Sequence, residues 1–67
     1  MQITARNQLQ GTVTSIKLGG VMAEVVVCVG ENEIVSVVTR TSAEELGLSE
    51  GDEVTAIIKS TEVMLAR

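Results

Sequence analysis

The chain has no phenylalanine, tyrosine, tryptophan, histidine or proline, and a single cysteine, Cys28. Each absence closes a route. Without aromatic rings there is no platform on which nucleic-acid bases could stack. The core must then be built from Val, Ile, Leu, Met and Ala, each of which buries less area than a ring. Without histidine, the usual general base near neutral pH is missing. One cysteine cannot close a disulfide within the chain, nor supply the four ligands of a structural zinc site. Basic residues are scarce: Arg6, Lys17, Arg40, Lys59 and Arg67 stand against nine acids, for a net charge of −4. A nucleic-acid groove needs the opposite balance, so no nucleic-acid partner is expected. No apolar run approaches the roughly 20 residues of a membrane span. The opening MQITARNQLQ is polar and unlike a signal peptide. The expectation is a protein without a membrane partner, in the cytoplasm, where an unpaired thiol is at home.

Sixty-seven residues make one domain, 1–67. A lone core of that size rarely supplies more than about 3–5 kcal/mol. Disulfides and a metal being excluded, oligomerisation is the remaining source of stability. The 45% hydrophobic content is more than one small core can hide, so part of it is expected to face other copies of the chain.

Strand-forming residues dominate the pattern. Residues 11–18 (GTVTSIKL) alternate, with Val13 on one face and Thr12, Thr14 and Ile16 on the other. Gly19-Gly20 offers turn chemistry through positive φ. Residues 21–29 put Val21, Ala23, Val25, Val27 and Val29 on one face and Met22, Glu24, Val26 and Cys28 on the other. Gly30-Glu31-Asn32 reads as a hairpin loop and residues 33–39 as a third strand. Ser42-Ala43-Glu44-Glu45 then matches a capping box, with Ser42 as N-cap and Glu45 reaching back to it. Gly47 is placed to end a short helix over residues 43–46. Ser49-Glu50-Gly51-Asp52 makes a turn, and strands follow over residues 53–59 and about 62–65. This order predicts an all-β fold, a five-stranded OB-type barrel with one short helix between strands 3 and 4. A small open sheet is the alternative.

The inventory for catalysis is thin. Cys28 lies in VVVCVG with no basic neighbour to stabilise a thiolate, and reads as a small buried hydrophobe. Glu44, Glu45, Glu50, Asp52 and Glu53 crowd one stretch without metal-ligand spacing, and read as a solvated acidic face. No enzyme activity, cofactor or directly ligated metal is expected. What remains is a set of anion-binding parts. Thr4-Ala5-Arg6-Asn7 joins a hydroxyl to a guanidinium beside backbone N–H groups. Thr39-Arg40-Thr41-Ser42 leads into a helix N-terminus. Lys59-Ser60 pairs an ammonium with a hydroxyl. Each also has a plainer explanation, Ser42 as an N-cap and Arg6 and Lys59 as ordinary surface charges.

Two stretches covering almost the whole chain resemble the molbindin (Mop) family. ITARNQLQGTVTSIKLGGVMAEVVV is similar to that family's opening pattern, S-A-R-N-x-x-x-G-x-V. TRTSAEELGLSEGDEVTAIIKSTEVMLAR is similar to its second half, T-x-x-S-A-x-x-L-G-L-x-x-G-x-x-V-x-A-x-x-K. The resemblance implies a TOBE-like domain that binds, stores and buffers molybdate or tungstate. It also implies a homohexamer, a trimer of dimers, with oxyanion sites between subunits. Carried over by position, the site would use Thr4, where the family has serine, with Ala5 and Arg6. Lys59 and Ser60 would belong to it as well, and a neighbouring subunit would contribute Thr39 and Ser42. A second site on a three-fold axis would use backbone near Gly19, Gly20 and Val21, where the family often has Ala and Asn at the positions of Gly20 and Met22. A nucleic-acid-binding OB module and a ligand-free oligomerisation module are the alternatives.

Overall fold

The computed structural model describes residues 6–67. Four strands are formed: β1 (Asn7–Leu18), β2 (Met22–Val29), β3 (Asn32–Thr39) and β4 (Glu53–Ile58), with a helix α1 (Arg40–Glu45) between β3 and β4. They make one antiparallel sheet in the order β3-β2-β1-β4. The fold is all-β with one short helix, as the alternation of apolar residues predicts. Among the described residues the sheet has four strands and its ends do not pair with each other. The segment expected as a fifth strand, about residues 62–65, is irregular chain that follows a single 3-10 turn at Ser60–Glu62. No helix among the described residues is long and apolar enough to cross a membrane.

The twelve-residue β1 is the axis of the molecule. Its first half pairs with β4, from Asn7↔Ile58 to Thr12↔Glu53, and its second half with β2, from Thr12↔Cys28 to Leu18↔Ala23. The change of partner occurs at a β-bulge. Val13 opposes Val27 and Ser15 opposes Val26, leaving Thr14 as the extra residue, its hydroxyl donating to the Val26 carbonyl at 3.3 Å. A bulge reverses the alternation of faces beyond it. Ile16, expected on the face opposite Val13, therefore packs against the same core. Beside the bulge Val13 exchanges two backbone bonds with the β4-leading turn, its N–H donating to Asp52 O at 2.9 Å and its carbonyl accepting from Gly51 N at 2.8 Å. Strand β1 also begins earlier than the sequence predicts, because residues 7–10 are held by β4 although their own pattern is polar.

The core is small: Val13, Val25 and Val27, with Ala23 and Ala43 also buried. Ile16, Val29, Val38, Leu48 and Val54 pack around it. The inward face of β2 is the one predicted, apart from Val21, which precedes the strand and is 75% exposed. The Gly19-Gly20 turn differs from expectation, since neither glycine has positive φ.

Helix α1 starts three residues earlier than predicted. Its N-cap is Thr39, whose side chain accepts from Ser42 N, and Ser42 is the third helical residue. The capping box with Ser42 as cap and Glu45 as partner is not formed, because Thr39, also a good capping residue, caps an earlier start that still buries Ala43. The C-terminus ends as predicted. Gly47 adopts φ of 63°, with Gly47 N donating to Glu44 O and Leu48 N to Ala43 O. This is a Schellman arrangement, which glycine permits at no steric cost.

Gly11 sits where β1 crosses closest to β2. A Cβ there would lie 2.6 Å from the Cys28 carbonyl oxygen and 2.6 Å from Val27 Cγ1. Since the nearest atom is backbone, the strands would have to move apart. Gly11→Ala is expected to cost about 1–3 kcal/mol of stability, read as a lower midpoint in urea denaturation with the slope unchanged.

Candidate functional site

The sequence-predicted site residues fall into two groups at opposite ends of β1. At one end, Arg6 leads into Asn7, which pairs with Ile58, and Lys59 follows Ile58. Register thus brings Arg6, Lys59 and Ser60 together as the β1–β4 ladder closes. All three are exposed, and no ion pair among the described residues involves either cation. Thr4 and Ala5 lie outside the described residues.

At the other end, Thr39 pairs with Met22, four residues after Leu18 closes β1. Thr39 Oγ1 donates to Ser42 Oγ at 2.7 Å and accepts from Ser42 N at 3.0 Å. The two hydroxyls therefore act in series. One hydroxyl proton is shared between the two oxygens, and the pair keeps one other proton for an external acceptor. The Gly19-Gly20-Val21 turn lies at this same end. Gly19 N donates to Met22 O at 2.7 Å, and Arg40 N donates to Val21 O at 2.7 Å. The Arg40 guanidinium reaches back to the same turn, Nη1 donating to Gly19 O at 3.2 Å, while Nε lies 3.7 Å from Glu44 Oε2.

The structure brings Thr39 and Ser42 together, and Arg6, Lys59 and Ser60 together, and it sets the two groups apart. Twelve residues of β1, at roughly 3.3 Å each along a strand, separate them. Each group consists of donors: a guanidinium, an ammonium, hydroxyls. Such a set suits an acceptor-only ligand. The acids at residues 44–53 form no metal site; among the described residues no group of three His, Cys, Asp or Glu could hold a metal ion. Asp52 is used locally, Oδ2 accepting from Ser49 N at 2.9 Å.

Arg40 is the residue that sequence reasoning passed over. Its contact with Gly19 spans 21 positions of sequence, and no local pattern announces it. Cys28, expected as a small buried hydrophobe, is half-buried, its thiol 3.2 Å from the Gly30 carbonyl.

A family model described as the TOBE domain matches residues 3–65. Molybdenum-pterin-binding protein 1 from Clostridium pasteurianum is 53% identical over 66 residues, covering 97% of each chain. A molybdate binding protein from Sporomusa ovata superposes with a TM-score of 0.95 at 40% identity, over all of both chains. The cytoplasmic molybdate-binding protein ModG, with molybdate bound, superposes with a TM-score of 0.84 at 43% identity, over 90% of this chain and 43% of its own. These relatives bear names for what they bind and none for a reaction.

The Thr39 cap is testable alone. Thr39→Val removes the acceptor for Ser42 N and the donor to Ser42 Oγ while keeping the side-chain shape. It is expected to cost about 0.5–2 kcal/mol, measured by equilibrium denaturation.

Proposed function

The chain belongs to the TOBE-domain family as a molbindin, and from that premise we propose that it binds molybdate or tungstate between the subunits of a cytoplasmic homohexamer, for storage and homeostasis of these oxyanions. Residues 1–67 form one oxyanion-binding domain in this reading. Each site takes Thr4, Ala5, Arg6, Lys59 and Ser60 from one copy and Thr39 and Ser42 from another. The family is one of binding proteins rather than enzymes. The observation that carries the reading is the end-to-end likeness to the Sporomusa ovata molybdate binding protein. The named cytoplasmic ModG supports the compartment.

The chemistry supports the ligand. Molybdate and tungstate are unprotonated dianions near neutral pH, accepting hydrogen bonds and donating none. A pocket of donors satisfies them. Phosphate usually carries a proton there, and a donor-only pocket leaves that proton unpaired at about 1–3 kcal/mol. Sulfate has the same charge and no proton, so only pocket size rejects it. The relatives' name also includes a pterin, but this chain has no aromatic ring against which a pterin could stack.

The separation of the two donor groups supports a site between copies, because one chain cannot wrap both around a single small ion. So does the exposed apolar surface. Met64 is 93% and Leu65 94% exposed, Val35 and Val37 line the open edge strand β3, and Leu46 is 71% exposed. Exposed side chains on an unpaired edge are an invitation to association. The fifth strand of the OB-type barrel belongs to the same proposal: residues 62–65 would find their ladder on another copy.

Native mass spectrometry with molybdate, beside a sulfate control, tests the reading. A hexamer gaining several molybdate masses and ignoring sulfate is expected; a hexamer gaining nothing would leave a structural module, and a monomer would remove the intersubunit site. In calorimetry, Arg6→Ala and Lys59→Ala are each expected to weaken molybdate binding about tenfold or more with the fold intact. Met64→Glu combined with Leu65→Glu is expected to shift the native mass toward smaller species.

A further inference from the structure

Most of the molecule's donors are accounted for by strand ladders, but the β1–β2 turn is held in another way. Of the three carbonyls of Gly19, Gly20 and Val21, two are occupied by one residue. Gly19 O accepts from Arg40 Nη1 at 3.2 Å, and Val21 O accepts from Arg40 N at 2.7 Å. The Gly19 N–H is taken by Met22 O. Among the described residues the N–H groups of Gly20 and Val21 donate to nothing, and both residues are exposed. A Cβ on Gly20 would meet nothing within 4 Å, so no other group crowds the chain at that position. Arg40 is itself oriented from the far side, its Nε facing Glu44 one helical turn on. It immediately follows Thr39, which holds Ser42.

The geometry points to Arg40 as the positioning residue of this turn: by drawing two carbonyls toward itself, it leaves the turn presenting amide donors to an oxyanion, and it fastens the turn to the Thr39–Ser42 segment. An acceptor-only dianion is repelled by a carbonyl dipole and attracted by an N–H. Withdrawing acceptors therefore serves the ligand as much as adding donors does. Because one side chain and its own backbone N–H brace the turn, the two proposed binding elements move as a unit. An ion ordering one of them finds the other already ordered. The inference rests on the oxyanion-binding reading above and extends it to a residue that touches no ligand.

The test compares wild type with Arg40→Met, which keeps the aliphatic stem and loses every side-chain donor, and Arg40→Lys, which restores one. The first readout is amide hydrogen exchange without ligand. In Arg40→Met the N–H of Gly19 and of residue 40 are expected to exchange about three- to tenfold faster, while those of Val25 and Val27 in the core stay unchanged. Arg40→Lys is expected to recover part of the protection. The second readout is molybdate titration calorimetry at constant ionic strength. Arg40→Met is expected to bind about three- to tenfold more weakly, with a lysine rescue in the same order as the exchange. Unchanged exchange at Gly19, or unchanged molybdate affinity with a wild type that binds, overturns the assignment. Faster exchange throughout the core overturns it too, since Arg40 would then be a general stabiliser. A wild type that binds no molybdate overturns the functional reading instead, and exchange at Gly19 alone then decides whether Arg40 braces the turn.

Discussion

Everything in this fold depends on one strand serving two ladders. Strand β1 gives its first half to β4 and its second half to β2, so it must bend without losing its hydrogen bonds. Two local devices allow this. At Gly11 the missing side chain lets β1 approach the Cys28 carbonyl more closely than any Cβ would permit. At Thr14 the bulge inserts one residue, and the turn at Gly51-Asp52 takes up the backbone groups of Val13 that the change of partner would leave unpaired. Leaving such groups unpaired would cost about as much as a lost hydrogen bond each. A core of five buried small and medium side chains has little to spare against such costs.

That same bend explains where the sequence was readable and where it was not. The inward face of β2, a hairpin loop opening at Gly30 and the helix end at Gly47 follow from residues within a few positions of one another and are found as predicted, except that Asn32, expected in the loop, already belongs to β3. Ile16 packs on the core face rather than the opposite one because strict alternation cannot foresee a bulge in the β1–β2 ladder. Residues 7–10 went unassigned because their strand character comes from the partner rather than from their own polar pattern. The cap moved from Ser42 to Thr39 because two good capping residues lie three apart, and only the packing of Ala43 and the bond from Arg40 N to Val21 O select between them. The tail, residues 62–65, is expected as a strand and joins no ladder among the described residues.

For the candidate site, residue types were legible and spatial grouping was only half so. The donors Arg6, Lys59, Thr39 and Ser42 stand out in a chain with so few basic groups. Their division into two clusters follows from strand register alone. What no sequence pattern displays is that Thr39 and Ser42 bond to each other, so that two hydroxyls in the sequence amount to one donor for any outside group.

The charge balance sharpens this point. The protein carries net −4, which disfavours approach of any dianion at long range, although salt at cellular strength screens that field within about 8 Å. Affinity must then come from groups within that distance of the ion. The acids at Glu44, Glu45, Glu50, Asp52 and Glu53 lie on α1, in the segment after it and at the start of β4, away from the end of the β1–β4 ladder that Arg6 and Lys59 flank. At the other end Glu44 faces Arg40, so that its charge is met by a cation that the turn already uses. Exposed as it is, the pair adds little to stability. Its weight lies in arrangement: the Arg40 guanidinium stands between the Glu44 carboxylate and the Gly19 carbonyl, drawn to one on each side, and so ties α1 to the turn between β1 and β2.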